Sequence, residues 1–182
     1  MSRISFPQFL IISGSGQKVG KTFLATALIR TFSKKFPVLA LKISPHVHDS
    51  LGNTTLRSTG EGIRIFQDVT PHSKNSGQFL EAGAQESFFM ETVDGFLAEA
   101  FNLFMKDCNP MDLPVICESG ALGSLVKPGI LIFIARSTDE FHVNKLTTRS
   151  LADIILPATS FSAPEITAMV SLSDNGWKIG NR

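Results

Sequence analysis

The stretch Ser13-Gly14-Ser15-Gly16-Gln17-Lys18-Val19-Gly20-Lys21-Thr22 decides the fold class of this chain. It follows the apolar run 9–12 and opens a segment with helical periodicity, 21–32. A strand, a glycine-rich loop and a helix in this order are typical of a phosphate-binding loop. The three glycines permit positive φ angles and a close approach of the backbone to an anion, so that successive N–H groups can face phosphate oxygens. We therefore expect residues 14–22 to hold the phosphates of a nucleotide.

The two residues that end this stretch supply a charge and a metal ligand. Lys21 provides a positive charge to the β- and γ-phosphates, and Thr22 offers its hydroxyl to Mg²⁺. The N-terminus of the following helix adds a partial positive charge. The strict pattern GxxxxGK[ST] places glycine at position 15, where this chain has Ser15, and a serine fits there if its φ is negative. The predicted ligands are Mg²⁺ and a nucleoside triphosphate, GTP or ATP.

Composition restricts the class of protein. A chain of 182 residues, 43% of them hydrophobic, is enough for one domain with a substantial core, so we expect a single domain over residues 1–182. Because 17 basic residues stand against 16 acidic ones, the net charge gives no reason to expect binding to nucleic acid or to a membrane surface. Two cysteines, Cys108 and Cys117, and the lack of a signal-peptide pattern indicate a cytoplasmic protein.

Apolar runs alternate with helical patterns, which predicts a doubly wound, mainly parallel α/β sheet flanked by helices. The predicted strands are 9–13, 37–43, 62–67, 84–90, 113–117, 129–135 and 154–156, with 62–67 as a possible edge strand and 113–117 and 129–135 as central strands. The predicted helices are 21–32, 78–82, 95–106 capped by Asp94, one finishing at 149–152, and 164–170. Segments 44–61 and 70–77 have no sustained period, and we expect these irregular loops to close over the ligand.

Two further charged residues, each at the end of a predicted strand, are expected to belong to the site. Nucleotide hydrolysis on this kind of fold needs an acid near Mg²⁺, at the carboxyl end of a neighbouring strand. Glu118 follows strand 113–117 and precedes small residues, so it is the candidate that shares the metal with Thr22. Lys42 closes strand 37–43 and belongs to the same edge. We predict catalytic roles for Lys21, Glu118 and Lys42, the alternative being that Glu118 and Lys42 are solvated charges at strand ends.

Two histidines follow Lys42. His46 and His48 are spaced so that both can face one way in an extended segment and share a metal or an anion. Since no cysteine or third histidine with regular spacing accompanies them, solvated histidines or contacts to substrate phosphates are the alternatives preferred over a metal site.

Other glycine-rich motifs fit less well. The dinucleotide pattern GxGxxG begins at Gly14 but has Val19 in place of its third glycine, and it leaves Lys21 and Thr22 without a role. A plain glycine-rich turn before an ordinary helix is the simplest alternative. The guanine-selective pattern Asn-Lys-x-Asp is incomplete, because residues 144–147 read Asn-Lys-Leu-Thr, so the base is not readable from the residues.

The order of these features resembles the MobB family of molybdopterin-guanine dinucleotide biosynthesis adaptor proteins. The resemblance covers about residues 8–136 and consists of the phosphate loop, Lys42 followed by histidines, Lys74-Asn75-Ser76 leading to Glu81-Ala82-Gly83-Ala84, and Glu118 with a glycine close behind. The segment before Ala82-Gly83-Ala84 is its most specific part. Asn75 stands where the family usually has aspartate, Ser119 where it has glycine, and residues 43–45 separate Lys42 from the histidines.

The resemblance implies a GTP-binding protein of the P-loop NTPase type with weak hydrolysis. Such a protein would assist the attachment of GMP to molybdopterin, as a homodimer beside a transferase. The family's phosphate contacts carry over to Gly16, Gly20, Lys21 and Thr22, and its strand-end acid carries over to Glu118.

The phosphate loop also resembles that of dethiobiotin synthetase, an ATP-dependent ligase whose Gly-Thr-Asp-Thr-x-Val-Gly-Lys-Thr aligns with residues 14–22. Lys42 and Glu118 match that enzyme's strand-end lysine and acid, but the chain lacks the lysine-proline dipeptide usual there. A nucleotide-binding scaffold without catalysis is the third possibility.

Overall fold

The computed structural model describes residues 3–46, 53–71, 76–108, 110, 113–136 and 143–180. Its strands are β1 (Ile4–Gly14), β2 (Leu39–Ser44), β3 (Thr54–Gly60), β4 (Ile63–Asp68), β5 (Glu86–Thr92), β6 (Val115–Glu118), β7 (Val126–Ala135), β8 (Ile154–Pro157), β9 (Val170–Ser173) and β10 (Gly176–Ile179). Its helices are α1 (Lys21–Phe32), α2 (Gly77–Glu81), α3 (Leu97–Asp107), α4 (Leu122–Leu125), α5 (Val143–Ser150) and α6 (Ala163–Met169).

Eight strands form one mixed sheet in the order β3-β4-β5-β2-β6-β1-β7-β8. The neighbours from β5 through β8 pair in parallel, whereas β3 and β4 pair antiparallel with each other and β4 pairs antiparallel with β5. The predicted α/β class with a mainly parallel sheet is confirmed. Because six strands run the same way, their carboxyl ends meet at one side of the sheet, which we call the carboxyl edge.

Strand β1 is covered on both faces. Leu10 and Ile12 belong to a core cluster with α1, α2 and α6, whereas Phe9 and Ile11 belong to a second cluster with α3 and α4. Successive side chains of a strand point to opposite faces, so a continuous apolar run is what a strand between two helical layers requires. The central position of β1 fixes the residues that follow it at the middle of the carboxyl edge.

The prediction for 44–61 was wrong in its second half. Strand β3 lies at the edge of the sheet. The segment 62–67, which is predicted as a possible edge strand, forms β4, the second strand from that edge. Most residues of β3 are exposed or only partly buried, so it lacks the alternating apolar pattern that would have revealed it. A bulge between Leu56 and Ser58 interrupts its pairing with β4. The residues 47–52 lie outside the described part of the chain.

The C-terminal tail forms a hairpin that the sequence prediction missed. Strands β9 and β10 pair antiparallel, with Gly176 at φ 94° beside their turn. Trp177 is 1% exposed, donates its indole N–H to the carbonyl of Gln8 at 2.8 Å and packs edge-on against Phe32 with ring centroids 4.8 Å apart. The hairpin therefore completes the core beneath α1 at the edge opposite the carboxyl edge.

The third helix begins later than predicted. A single 3-10 turn spans Asp94–Phe96, and Phe96 occupies the N-cap of α3 without a capping side-chain hydrogen bond. Asp94 is therefore not the N-cap residue of α3. The apolar face is the predicted one, since Leu97, Ala100, Phe101 and Phe104 are buried.

Among the described residues, no helix is long and apolar enough to cross a lipid bilayer.

Candidate functional site at the carboxyl edge

The glycine-rich loop, residues 13–20, joins the end of β1 to the start of α1 at the carboxyl edge. Gly20 is the N-cap of α1 and has φ 102°, a left-handed conformation that favours glycine. Lys18 also has positive φ, at 56°. Gly14 and Gly16 do not use the positive φ that glycine permits. The backbone thus turns at two positions near the end of the loop.

Gly14 has a different reason to be glycine. A Cβ added there would lie 2.8 Å from Cγ2 of Val19 and 2.9 Å from the carbonyl oxygen of Ile134, closer than such atoms approach. Ser15 follows with negative φ, as expected of a serine at that position, and its N–H donates to Ile134 O at 3.0 Å. A Cβ on Gly16 would meet nothing within 4 Å. The loop is therefore fixed against β7 at its start and open at Gly16.

Lys21 lies under the loop. Its ammonium group donates to the carbonyl of Gly16 at 2.5 Å. Burial lowers the pKa of Lys21, the charge of Glu118 opposes that shift, and the neighbouring cations Lys145, Lys42 and Arg136 add to it. A buried ammonium with cations around it is stabilised by an anion, because the anion removes the repulsion and returns hydrogen bonds to the desolvated charge.

Thr22, Glu118 and Lys42 come together from three elements. The Thr22 hydroxyl donates to Oε2 of Glu118 at 2.6 Å, and the Lys42 ammonium lies 3.4 Å from the same oxygen and 3.4 Å from the Thr22 hydroxyl. Strands β2 and β6 are neighbours in which Lys42 and Glu118 occupy paired positions, so the register places them side by side. The structure thus brings together the residues predicted from strand ends.

A cavity of about 830 Å³ opens beside these residues. Its walls come from the glycine-rich loop, the ends of β2 and β6, and the start of α3; among the described residues that line it are four lysines, Lys18, Lys21, Lys42 and Lys145, against one acid, Glu118. The cleft is therefore locally basic although the whole chain carries a net charge of only +1. A concave site with one sign of charge attracts a ligand of the opposite sign.

Two basic residues of this region escaped the sequence prediction. Arg136 directly follows β7, where its guanidinium donates to the carbonyl of Gln17 at 2.8 Å and its backbone N–H donates to Ser15 Oγ at 3.2 Å. Lys145, from α5, donates to the carbonyl of Gly120 at 3.2 Å. Lys42 and Glu118 were predicted because each is a charged residue at the end of an apolar strand. Arg136 follows the most apolar strand, so the same signal could have identified it.

Thr22 and Glu118 fit a magnesium ion. Thr22 and Glu118 offer two oxygens, the ligand type that Mg²⁺ prefers, beside a basic cleft that suits its phosphate partners. His46 lines the cavity, whereas His48 lies outside the described residues. Within the described ranges, no group of three or more His, Cys, Asp or Glu side chains could hold a metal ion.

The described ends of the loop predicted at 70–77 do not flank the cleft. Because β4 runs antiparallel, it ends at the edge where β5 begins, and the carbonyl of Ser76 accepts a bond from Ser87 near that beginning. The expectation that this loop closes over the ligand was wrong for its described ends; residues 72–75 lie outside the described part. Gly83 lies at this same edge, where β5 begins. A Cβ added to it would be 2.7 Å from the hydroxyl of Ser33, which directly follows the end of α1.

Comparison with known proteins found no protein-family model, no curated protein and no solved structure that matches this chain.

Proposed function

We propose that the cleft binds a nucleoside triphosphate as its Mg²⁺ complex, in the manner of a P-loop NTPase. The observation that carries the proposal is the contact of Thr22 with Glu118 and Lys42 beside the partly buried Lys21, directly after a glycine-rich loop that joins a central strand to a helix. Each of these side chains would contact either the phosphates or the metal ion of a bound nucleotide. An ordinary glycine-rich turn before a helix would need none of them.

The proposed roles follow from chemistry and position. The backbone N–H groups of the loop and the ammonium groups of Lys21 and Lys42 would bind phosphate oxygens, with Lys21 giving up its present bond to Gly16. Thr22 and Glu118 would hold Mg²⁺ by their oxygens. The bound ion would supply Lewis-acid stabilisation of charge on the phosphates.

Turnover is expected to be slow. A general base must be available to accept a proton from the attacking water. Glu118 accepts a hydrogen bond from Thr22 and pairs with Lys42, so its carboxylate is engaged with the metal side of the site rather than free to act as a base. Weak hydrolysis by positioning and electrostatic stabilisation is therefore the activity that this arrangement supports best.

The biological role proposed here rests on the sequence resemblance to the MobB family. On that basis the nucleotide is GTP, the second molecule is a molybdopterin-type substrate, and the chain acts as a homodimer beside a transferase. The residues that match the family's phosphate contacts are Gly16, Gly20, Lys21 and Thr22, and Glu118 matches the family's strand-end acid.

An ATP-dependent ligase of the dethiobiotin synthetase type is the second candidate. The observation that favours it is the length of the cavity, which continues past Lys42 to Pro45 and His46. That space is additional to the region beside the glycine-rich loop, and an anionic co-substrate there would meet Lys42. Incubation with ATP, Mg²⁺, bicarbonate and diaminopelargonate should give dethiobiotin if the ligase is correct, whereas slow GTP turnover alone favours the adaptor and binding without turnover favours a scaffold.

The test of the site itself is calorimetric titration of GTP and ATP in the presence of Mg²⁺. Lys21→Ala should weaken binding by about tenfold to a hundredfold, because a charge-assisted contact in a partly dry site is lost. Lys34→Ala is the matched control, since Lys34 is an exposed lysine just beyond the far end of α1. Equal affinities for the wild type and Lys21→Ala would refute the proposal.

A further inference from the structure

An exposed aromatic side chain stands next to the candidate metal ligand. Phe23 follows Thr22 in the first turn of α1 and is 63% exposed. Most large apolar side chains on α1 are buried or half-buried against the core; Leu24 and Leu28, for example, are fully buried. A phenyl ring left in water beside a predicted phosphate site has a free face to offer to a ligand.

A second ring supports the first. Phe161, in the loop between β8 and α6, lies with its centroid 6.2 Å from that of Phe23, the two planes tilted by 53°. A Cβ added to Gly20 would lie 2.9 Å from Cζ of Phe161, so this ring lies against the last residue of the glycine-rich loop. Phe161 is itself partly buried against the core around α1. It therefore holds a fixed position between the loop and Phe23.

We propose that the free face of Phe23 stacks on the base of the bound nucleotide and that Phe161 positions the Phe23 ring. This inference rests on the proposed function, because it takes the phosphates to lie against Lys21 and Thr22. A nucleotide held there by its β- and γ-phosphates must carry its sugar and base away from the loop, and Phe23 is the exposed residue immediately beyond Thr22.

The charges favour this direction over the cavity. The cavity side carries Lys42, Lys145 and Glu118, which suit phosphate oxygens, a metal ion and an anionic co-substrate. Two of its apolar wall residues, Phe89 and Leu97, are only 1% and 7% exposed, so neither has a face left for stacking, and the exposed ring in the wall, His46, lies beyond Lys42 on the side away from Thr22 in the sequence. The neutral, flat base fits the pair of Phe23 and Phe161, neither of which lines the cavity, better than it fits the basic cleft.

A stacking platform predicts how the protein treats different bases. Every nucleobase has a π-face, so stacking on a phenyl ring tolerates both adenine and guanine. Removal of the ring should therefore weaken ATP and GTP by similar factors. A preference for GTP would have to come from contacts other than Phe23.

The experiment compares nucleotides with tripolyphosphate, which has the phosphates but no base. Calorimetric titrations with Mg²⁺ would use the wild type, Phe23→Ala, Phe23→Trp and the control Ile4→Ala, since Ile4 is 72% exposed at the far end of β1. Phe23→Ala should weaken ATP and GTP by about fivefold to a hundredfold and leave tripolyphosphate unchanged. Phe23→Trp should bind both nucleotides at least as tightly as the wild type.

The outcomes separate this inference from the proposed function. If tripolyphosphate and nucleotides bind the wild type but Phe23→Ala binds ATP and GTP as tightly as the wild type, the stacking site is refuted and the phosphate site stands. If neither tripolyphosphate nor any nucleotide binds the wild type, the proposed function itself has failed. Equal losses for tripolyphosphate and nucleotides in Phe23→Ala would also refute stacking, because they would mean that the substitution disturbs the phosphate site.

Discussion

Lys21 is a partly buried cation whose charge should depend on the ligand. Burial, aided by Lys145, Lys42 and Arg136 and opposed by Glu118, lowers its pKa below the ordinary lysine value. A bound triphosphate favours the charged form and so raises that pKa. Between the two pKa values, binding must therefore take up a proton, and affinity should fall as the pH rises through this window.

Calorimetry in two buffers of different ionisation enthalpy measures this proton uptake at alkaline pH. The matched variant is Lys21→Arg, because a guanidinium stays protonated throughout the range. We expect less uptake by the variant than by the wild type. Identical uptake by both proteins would mean that Lys21 does not titrate with the ligand.

At the same scale, the sequence predicted most of the charged site. Lys42 and Glu118 were identified because each ends an apolar run, and parallel strands bring such ends together. A serine fits at position 15 of the loop only with negative φ, and Ser15 meets that condition. Phe161 could not be found in this way, since only the path of the loop after β8 brings it onto Gly20. Nothing in the spacing of 20 and 161 along the chain indicates that contact.

At the scale of elements, buried strands were predictable and exposed ones were not. Strands β1 and β7 are continuous apolar runs that need both faces covered, so their pattern is strong. Strand β3 is polar because its side chains are exposed or only partly buried on both faces, and β10 was hidden in a short tail. The turn Asp174-Asn175-Gly176 is the signal that could have revealed the last hairpin.

That hairpin should contribute strongly to stability through one side chain. Trp177→Ala removes a ring that is 1% exposed and packed on Phe32, and large aromatic truncations in a core cost about 3–5 kcal/mol. Urea unfolding followed by circular dichroism measures the change in the free energy of unfolding. Lys178→Ala, at the exposed neighbouring position, should leave it within about 0.5 kcal/mol. Equal free energies of unfolding for the two variants would show that the packing of the hairpin on the core does not contribute to stability.

For the whole molecule, the two cysteines offer a chemical measure of folding. Burial raises the pKa of the Cys117 thiol well above its usual value, and burial, opposed by Arg57, raises that of Cys108 from 9.0 to about 11. The thiolate is the reactive form, so fewer molecules can react at pH 7.5, although the remaining thiolate is the stronger nucleophile.

The expected result is slow alkylation of the folded protein. Cys108 should react with iodoacetamide about tenfold more slowly than in the urea-unfolded chain, and Cys117, which is fully buried, more slowly still. Mass spectrometry of pulse-labelled protein distinguishes the two sites. Labelling of Cys117 in the folded protein at the rate of the unfolded chain would contradict the packing described for β6.

The bulge in β3 has a consequence for self-association. Edge strands with unbroken rows of open backbone groups invite another chain to add a strand, and bulges are one means of preventing it. Here the irregularity between Leu56 and Ser58 disturbs one border of the sheet, and at the other border β8 has four residues and ends at Pro157, which has no N–H to donate. The proposed homodimer should therefore join through its helical layers, leaving each copy's sheet separate.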